Sequence, residues 1–344
     1  MSPAGRGPYS FGDEGPATAV AEQPQALSAD KKKPVLVTGA TGLVGIHTCR
    51  ELSKHGWQVR ALIRDPAKAA LALGQLPVEF RVGDVRDAGT LRSSLNGCGA
   101  VVHLAAIAIE KKTEKYTETN TAATERLISA ARAENVQRVI FMSQNGADSR
   151  SRHPFLHSKG VAQDSIRTSG LQWTVLRPSV IFGPEDQFVN VLGRLIRLTP
   201  KFFPLPGGGR ARFQPIAVDD VARVIRISLE KKETVRQSYD LGGPAALSLR
   251  DMTERILMAM GTTRTIVPVP IKMVRPIVSL MQRFLPNPPV TPGLLDLLSV
   301  DNTVSHNALT EIFKVSPMPF AGDELGYLRR ITFRSAINSL FERA

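Results

Sequence analysis

The sequence predicts an α/β fold in which helices cover both faces of a doubly wound parallel sheet. A short apolar strand at residues 35–38 leads into three glycines, Gly39, Gly42 and Gly45, and then into a helical segment. Further apolar runs alternate with helical segments as far as residue 178. These runs are apolar on both faces, as expected for parallel strands that are covered by helices on both sides.

The individual elements follow from this alternation in chain order. A helix over Leu43–His55 separates the first strand from a second at Trp57–Ile63, which is the spacing of a βαβ unit. The other predicted strands are Val78–Val82, Ala100–Leu104, Arg138–Ser143 and Gln172–Leu176, and helices between them include Thr117–Glu134 and Phe155–Ser169. This arrangement predicts a sheet of the Rossmann type.

We expect three regions along the chain. Residues 1–33 are rich in Gly, Pro, Ala, Ser and Gln and end in three lysines, which predicts a flexible, basic-ended tail. Residues 34–178 form the Rossmann core. Residues 179–344 have shorter elements with more Pro and Gly, so we expect a smaller substrate lobe whose segments Gln214–Ala217 and Ser238–Leu241 return to the sheet.

The composition limits the class of partner. The chain has 344 residues, of which 42% are hydrophobic, enough for one large core or a core with a smaller lobe. Its formal net charge of +13 favours a phosphorylated cofactor, an anionic membrane surface or a nucleic acid. Because no helix-turn-helix or RNA-binding signature accompanies the charge, nucleic acid is not expected.

Cysteine usage and apolar runs bear on the location of the protein. Cys49 and Cys98 indicate no disulfide framework, so we expect a reducing compartment, and no metal-binding cluster is predicted. The first 30 residues lack the apolar run of a secretory signal, and their acidic residues argue against a mitochondrial transit peptide. No apolar stretch reaches the roughly 20 residues that span a bilayer. We expect a cytoplasmic protein, either free or peripheral at the inner membrane face.

The glycine segment has the chemistry of a phosphate-binding turn. Gly39 permits a sharp turn, Gly42 lets backbone N–H groups approach a pyrophosphate, and Gly45 lets the helix pack closely on the strand. The positive end of the helix then faces the phosphates. The predicted dinucleotide contacts here are Gly39, Thr41, Gly42, Leu43, Val44 and Gly45.

These motifs resemble the short-chain dehydrogenase/reductase superfamily, in its extended or atypical branch, over about residues 34–328. The shared segments are Thr38–Gly45, Gly83–Asp87, His103–Ala106, Asn120, Lys159, Arg177–Pro184 and Val218–Ala222. Within that branch, four segments are most similar to the nucleotide-binding accessory subunit of respiratory complex I and its bacterial relatives: Arg177–Pro184, Glu185–Asn190, Pro286–Thr291 and Phe313–Phe320. The resemblance implies that Asp84 and Val85 border the adenine, that Ala105 and Ala106 leave room for the ribose and diphosphate, and that Lys159 binds ribose hydroxyls.

The end of the second strand favours NADP(H) over NAD(H), which stays the alternative. NAD-selective proteins place an acidic residue here that binds the ribose hydroxyls and repels a 2′-phosphate. This chain has Arg64, whose guanidinium suits a phosphate. Asp65 competes with that interpretation, but Pro66 follows it, so Asp65 is more simply the N-cap of the next helix.

The sequence departs from the family at the catalytic position. Active members carry a Tyr four residues before the Lys, because a phenol beside an ammonium can exchange a proton with the substrate. Here that position is Phe155, so Lys159 lacks its acid/base partner. Ser143 is the candidate for the assisting hydroxyl, and Tyr116 has no strong claim as a substitute. His153 and His157 flank the position and are weaker candidates for a general acid.

Two further motifs allow both a functional and a structural interpretation. Asp219 and Asp220 could form a carboxylate pair, but we favour the N-cap and first-turn acid of a helix over Val221–Glu230. Gly207–Gly209 with Arg210 and Arg212 could receive an anionic substrate headgroup or form a flexible hairpin.

Residues 271–285 combine many apolar residues with charges that are all positive. This pattern is typical of a helix on an anionic membrane surface or a partner subunit. A lid helix packed on the core fits equally well. In either case we expect Pro276 to interrupt or start the helix.

Two functions therefore stay open. The first is a cofactor-binding accessory or assembly protein, linked to respiratory complex I or quinone-related electron transfer, with weak or no turnover. The second is an NADP-dependent reductase or epimerase that acts on a hydrophobic carbonyl or isoprenoid substrate, with a proton supplied by Ser143, a histidine or water. Phe155 is the residue that distinguishes them.

Overall fold

The computed structural model describes residues 29–110, 113–285, 288–298 and 300–341. Its strands are β1 (Val35–Thr38), β2 (Val59–Ile63), β3 (Val78–Val82), β4 (Ala100–His103), β5 (Arg138–Met142), β6 (Gln172–Pro178), β7 (Ile181–Phe182), β8 (Phe202–Pro206), β9 (Arg212–Phe213), β10 (Ile216–Ala217), β11 (Gln237–Leu241), β12 (Leu247–Ser248) and β13 (Thr265–Val269).

Helices connect and cover these strands. They are α1 (Leu43–Lys54), α2 (Pro66–Leu73), α3 (Ala88–Leu95), α4 (Ala123–Ala133), α5 (Pro154–Arg167), α6 (Val189–Leu198), α7 (Val218–Glu230), α8 (Leu249–Ala259), α9 (Ile271–Phe284), α10 (Pro292–Leu297), α11 (Ala308–Glu311) and α12 (Phe333–Phe341). The predicted helix over residues 117–134 begins as a π-helical turn, Thr117–Ala122, before it continues as α4. Short 3-10 helices span Gly207–Gly209, Lys232–Thr234 and Gly322–Arg330.

The central sheet has seven parallel strands in the order β11-β6-β5-β4-β1-β2-β3. The predicted doubly wound Rossmann fold is thus confirmed. The chain leaves β3 at one edge and returns to β4 beside β1, so the strand order reverses between β1 and β4. In sheets of this kind the ligand crevice lies at the carboxyl ends of the strands at that reversal.

Three apolar clusters hold the layers together. One joins the sheet to α1 and α7, and a second joins its other face to α3, α4 and α5. The third lies among α6, α8 and the 3-10 helix Gly322–Arg330. The sheet is therefore covered on both faces, and the carboxyl ends of β1 and β4 stay at its rim.

Three local expectations differ from the structure. The segment before α7 does not enter the central sheet, because Ile216–Ala217 pairs with Ile181–Phe182; β11 does join it. Helix α7 begins at Val218 rather than Val221, so Asp219 and Asp220 both lie in its first turn and neither caps it. Helix α9 continues through Pro276, although a proline inside a helix removes one N–H donor and crowds the carbonyl of the residue four positions earlier.

The flexible tail predicted for residues 1–33 falls mostly outside the described residues, which begin at residue 29. The division of the chain at residue 178 stays a prediction. None of the described helices has the length and apolarity required to cross a bilayer. Within the described ranges, no group of three or more His, Cys, Asp or Glu side chains could hold a metal ion.

Candidate functional site

The glycine turn after β1 touches the segment after β4. Gly39 has a φ of +69°, and a Cβ on it would lie 2.8 Å from the backbone nitrogen of Ala105. Both the dihedral angle and the lack of space therefore require glycine here. This contact forms the floor of the crevice where the strand order reverses.

The other two glycines of the turn are required for different reasons. A Cβ on Gly45 would lie 2.2 Å from the Gly39 carbonyl oxygen, so close packing of α1 on β1 excludes any side chain. A Cβ on Gly42 would meet only that same oxygen, at 3.3 Å, and Gly42 is exposed. A methyl group on Gly42 would need a shift of a few tenths of an ångström, so the protein's own packing restricts Gly42 far less than Gly45, and its exposed side is open to a ligand.

The amino terminus of α1 is suited to an anion. Its N-cap, Gly42, provides no side-chain hydrogen bond, and its first turn contains no acidic residue. The first N–H groups of a helix have no acceptor within the helix, and its dipole is positive at this end. The open space over Gly42 and these donors fit the pyrophosphate of a dinucleotide.

A buried chain of hydrogen bonds joins the ends of β1 and β4. Thr124 Oγ1 donates to the Asn120 carbonyl oxygen at 2.7 Å, so it accepts a hydrogen bond from His103 Nε2 at 3.1 Å. His103 Nδ1 is then the acceptor for Thr38 Oγ1, 2.7 Å away. Burial lowers the pKa of His103 to about 3, so this ring is neutral.

The same threonine fixes the segment that follows β4. Thr38 Oγ1 accepts hydrogen bonds from the backbone nitrogens of Leu104 and Ala105, both at 3.3 Å. Ala105 is partly buried and Ala106 is exposed. Ala105 therefore lies beside Gly39, and Ala106 follows it at the exposed rim.

The end of β2 carries an exposed arginine that pairs with an acid. Arg64 Nη1 donates to the carboxylate of Glu114, and the Arg64 side chain is 60% exposed. Asp65 caps α2 by accepting hydrogen bonds from Ala67 and Lys68, as predicted. The Asp65 carboxylate is therefore already engaged in hydrogen bonds to the amino terminus of α2.

The end of β3 carries a second ion pair. Arg86 donates from Nε and Nη2 to both carboxylate oxygens of Asp84, at 3.0 and 2.7 Å. This pair lowers the pKa of Asp84 below its ordinary value. Arg86 also donates to the Thr113 carbonyl oxygen, next to Glu114 in sequence. Val85 is 8% exposed and belongs to the core between the sheet and α3.

Lys159 lies one helical turn after Phe155 on α5, as the family spacing requires. Its Nζ donates to the Met142 carbonyl oxygen at 2.5 Å and lies 4.8 Å from the centre of the Phe141 ring. Burial lowers the pKa of Lys159 to about 7. The amine therefore faces the end of β5, with no phenol beside it.

Ser143 directly follows β5 and is 3% exposed. Its backbone nitrogen donates to the Leu176 carbonyl oxygen, but its Oγ has no hydrogen-bond partner among the described residues. A buried hydroxyl without a partner is uncommon in a folded protein. Its position beyond the strand end fits contact with a polar ligand group.

A family model described as NAD(P)H-binding matches residues 39–232, more than half of the chain. The chain belongs to the NAD(P)H-binding family. It is 27% identical over 290 residues to the Arabidopsis thaliana mitochondrial protein named NADH dehydrogenase [ubiquinone] 1 alpha subcomplex subunit 9, covering 79% of this chain and 71% of the relative. The predicted relationship to the atypical short-chain dehydrogenase/reductases and to the complex I subunit is confirmed.

Reductases and sugar-nucleotide enzymes are also similar to this member of the NAD(P)H-binding family. A ceramide reductase from Caulobacter vibrioides is 30% identical over 175 residues, which cover 51% of this chain and 54% of the relative. A dTDP-glucose 4,6-dehydratase from Streptomyces venezuelae, solved with NAD bound, superimposes with a TM-score of 0.66 at 23% identity, covering 86% of this chain and 96% of that one. The second likeness shows a shared fold.

Tyr116 lies near Phe155 in this NAD(P)H-binding chain, but its hydroxyl is hydrogen-bonded to the backbone. The Tyr116 ring centre lies 6.0 Å from that of Phe155, but its hydroxyl donates to the Ala108 carbonyl oxygen at 2.8 Å. Burial raises the pKa of Tyr116 above its ordinary value. His157 is exposed, and His153 precedes α5. The expectation that Tyr116 is no substitute acid is consistent with this geometry.

A charged cluster that the sequence did not predict joins α1 to the second half of the chain. His47 Nδ1 lies 2.5 Å from Asp219 Oδ1, and Nε2 lies 3.1 Å from Glu185 Oε2. Burial lowers the pKa of His47, but its hydrogen bonds to the two carboxylates outweigh burial and raise it overall. The hydrogen bond to His47 lowers the pKa of Asp219, and the charges of Arg223 and Arg50 lower it further. Asp219 therefore binds His47 on α1 rather than capping α7.

The glycine-rich segment near α8 forms a shallow cationic hollow. A cavity of about 430 Å³ is lined by Gly208, Gly209, Arg210, Ser248, Arg250 and Pro268. Arg212 instead donates to the Ala246 carbonyl oxygen. Arg210 thus shares the cavity with Arg250 rather than with Arg212. The sequence could not indicate this, because Arg210 and Arg250 lie on different elements.

Substitution by alanine should have different effects at Gly42 and at Gly45. We expect Gly45→Ala to lower the free energy of unfolding by about 1–3 kcal/mol, because the added methyl overpacks the contact between α1 and β1. The melting temperature should therefore fall by several degrees. We expect Gly42→Ala to leave the melting temperature almost unchanged and to weaken dinucleotide binding by about tenfold, since its methyl enters the ligand space. Thermal unfolding with and without NADPH measures both effects. Equal stability losses in the two variants would contradict this assignment.

The His47 cluster should make stability depend on pH. Because the folded-state pKa of His47 is raised from 6.5, its contribution is fully present below pH 6.5 and is lost as pH rises through the folded pKa. We expect His47→Gln to lower the free energy of unfolding by about 1 kcal/mol at pH 6 and by less at pH 9. Denaturant titrations at both pH values measure this difference. The matched control is His306→Gln at an exposed histidine, and a pH-independent loss in His47→Gln would contradict the charge-based role.

Proposed function

We propose that this chain binds NADP(H) as an accessory subunit or assembly factor of a complex I-type quinone-linked NADH dehydrogenase, with weak or no turnover of its own. One observation carries the proposal: the glycine turn leaves the amino terminus of α1 open to an anion where the strand order reverses, while Phe155 occupies the position of the family's proton donor. The relatedness to the Arabidopsis complex I subunit supports the accessory role.

The dinucleotide would be held by groups on three strand ends. The free N–H groups of Leu43 and Val44 would bind the pyrophosphate, and Thr41 would lie beside it. Ala105 and Ala106 would leave room for the ribose and diphosphate. Asp84 and Val85 would border the adenine, and Arg64 would face the adenosine ribose.

The nicotinamide end would be bound without efficient proton transfer. Bound nicotinamide can exchange a hydride with a carbonyl or hydroxyl, but reduction of a carbonyl also needs a proton at its oxygen. Phe155 has no ionisable proton, and Tyr116 donates its hydroxyl hydrogen to Ala108. Lys159 would be left to bind ribose hydroxyls, and Ser143 would offer its unpartnered hydroxyl to the bound molecule.

We propose NADP(H) as the preferred form, for two reasons. Arg64 stands at the position that recognises the adenosine ribose, and its guanidinium suits a 2′-phosphate. Asp65, the acid that would otherwise bind the two ribose hydroxyls, caps α2. The Glu114 carboxylate paired with Arg64 would have to give way to the 2′-phosphate.

An active reductase on a hydrophobic carbonyl is the second candidate. The buried, unpartnered Ser143 Oγ favours it, since a hydroxyl there could hydrogen-bond a substrate oxygen. The similarity to a ceramide reductase, which covers 51% of this chain, supports a substrate of the same class. Water or a histidine would then have to supply the proton that Phe155 lacks.

The proposed partner implies a peripheral location. The Arabidopsis relative is named as part of a ubiquinone-linked dehydrogenase. We therefore propose that this chain lies at the inner membrane face, beside that complex and against an anionic membrane surface.

NADPH should stabilise the purified chain without being consumed. At a hundred times its dissociation constant, a ligand adds about 2.7 kcal/mol, enough to raise the melting temperature by several degrees. We expect this protection together with no oxidation of NADPH by a panel of ketones, quinones and ceramide-like carbonyls. Steady NADPH consumption would favour the reductase, whereas absence of any protection would refute dinucleotide binding. Phe155→Tyr is the matched variant and should retain the protection.

The charges at the end of β2 should decide between the two dinucleotides. We expect Arg64→Ala to weaken NADPH binding by about tenfold or more and NADH binding little, since only NADPH offers a 2′-phosphate to a charge-assisted hydrogen bond. We expect Glu114→Gln to tighten NADPH binding about two- to fivefold by releasing Arg64. Titration calorimetry with both dinucleotides measures this, with Arg150→Ala as the control at an exposed arginine. Equal losses for NADH and NADPH would contradict the preference.

A further inference from the structure

Helix α9 exposes a continuous apolar stripe. Met273, Ile277, Leu280 and Phe284 are 67%, 61%, 59% and 71% exposed. Their spacing of four, three and four residues places them on one side of an α-helix. Large apolar side chains are rarely exposed in such a row on a soluble protein unless the row is an interaction surface.

The opposite side of α9 is already packed. Val278 is 4% exposed, and Arg275 pairs with Asp296 on α10. The helix is thus fixed to the protein by one side while its apolar stripe faces outward. This geometry excludes the alternative of a lid helix whose apolar face packs on the core.

Positive charges border the stripe. Lys272 and Arg283 lie eleven residues apart, which is about three helical turns, so they occupy the same side of α9 next to the stripe. Both are exposed, and α9 contains no acidic residue. Long cationic side chains beside an apolar stripe can extend to phosphate groups while the stripe is buried.

More positive charge lies at the start of the helix. The cationic hollow contains Arg210 and Arg250 and is closed on one side by Pro268, which precedes α9 by three residues. A Cβ on Gly207, next to the hollow, would lie 3.6 Å from Ile271 Cδ1. The first turn of α9 thus adjoins a concave site that suits a phosphate.

We propose that α9 docks on an anionic phospholipid surface, with Met273, Ile277, Leu280 and Phe284 in the interfacial layer and Lys272 and Arg283 on lipid phosphates. The occupant is a membrane rather than a protein because α9 carries only positive charges and adjoins the cationic hollow, and a narrow apolar stripe beside cations is typical of helices that lie on anionic lipid. The inference deepens the proposed function, on whose peripheral location it rests, by naming the element that contacts the membrane.

Flotation of the full chain with vesicles tests the proposal. We expect binding to phosphatidylcholine vesicles that contain 30% phosphatidylglycerol, and much weaker binding to pure phosphatidylcholine. Ile277→Glu with Leu280→Glu should lower the partition coefficient by about tenfold or more, since two apolar contacts are lost and two negative charges are added. Lys272→Glu with Arg283→Glu should lower binding to the anionic vesicles alone.

Matched controls separate α9 from general effects of charge and exposure. Met273→Glu should also lower vesicle binding. Met258 on α8 is 71% exposed, close to the 67% of Met273, so Met258→Glu is its matched control and should bind vesicles like the unaltered chain. Lys231→Glu with Lys232→Glu changes the net charge as much as the Lys272 and Arg283 pair and should have the smaller effect. An unchanged melting temperature in each variant shows that the fold is intact.

Three outcomes would overturn the docking proposal. In the first, the unaltered chain does not bind anionic vesicles. In the second, the α9 variants bind the vesicles as well as the controls do. In the third, the α9 variants lose binding to a protein partner but keep binding to vesicles. NADPH protection is measured in parallel on every variant. Protection without vesicle binding overturns the docking alone, whereas vesicle binding without protection overturns the dinucleotide function alone.

Discussion

The contact between the carboxyl ends of β1 and β4 is the constraint on which the rest of the structure depends. Gly39 lies against the backbone of Ala105, and the Thr38 hydroxyl ties His103 to the segment that follows β4. Because His103 is buried and neutral, this link needs no counter-ion at the crevice. It fixes the two strand ends between which the dinucleotide is proposed to bind.

The two ends of the crevice differ in chemistry. The proposed adenosine end is rich in charge, with Arg64 paired to Glu114 and Asp84 to Arg86. The proposed nicotinamide end presents Phe155 and a lysine whose amine is buried. A site of this kind can bind an anionic dinucleotide strongly and still transfer protons poorly, which is consistent with an accessory role beside a larger redox enzyme.

Charges away from the crevice connect it to the rest of the molecule. His47 joins the phosphate-binding helix α1 to Asp219 on α7 and to Glu185 after β7. Helix α9 in turn is anchored by one side and leaves its apolar stripe exposed. The proposed dinucleotide binding and the proposed surface docking thus involve separate elements of one fold.

The sequence by itself determined the alternation of strands and helices, the glycine turn, the cap at Asp65 and the absence of a phenol at position 155, because these depend on residues close together in the chain. Only the tertiary structure decided the pairing of His47 with Asp219 and of Arg64 with Glu114, and the shared cavity of Arg210 and Arg250, since these residues lie 172, 50 and 40 positions apart and no local pattern encodes their packing. It also decided which side of α9 faces solvent. An amphipathic pattern defines an apolar side, but the packing of Val278 and the pairing of Arg275 with Asp296 determine whether that side is buried.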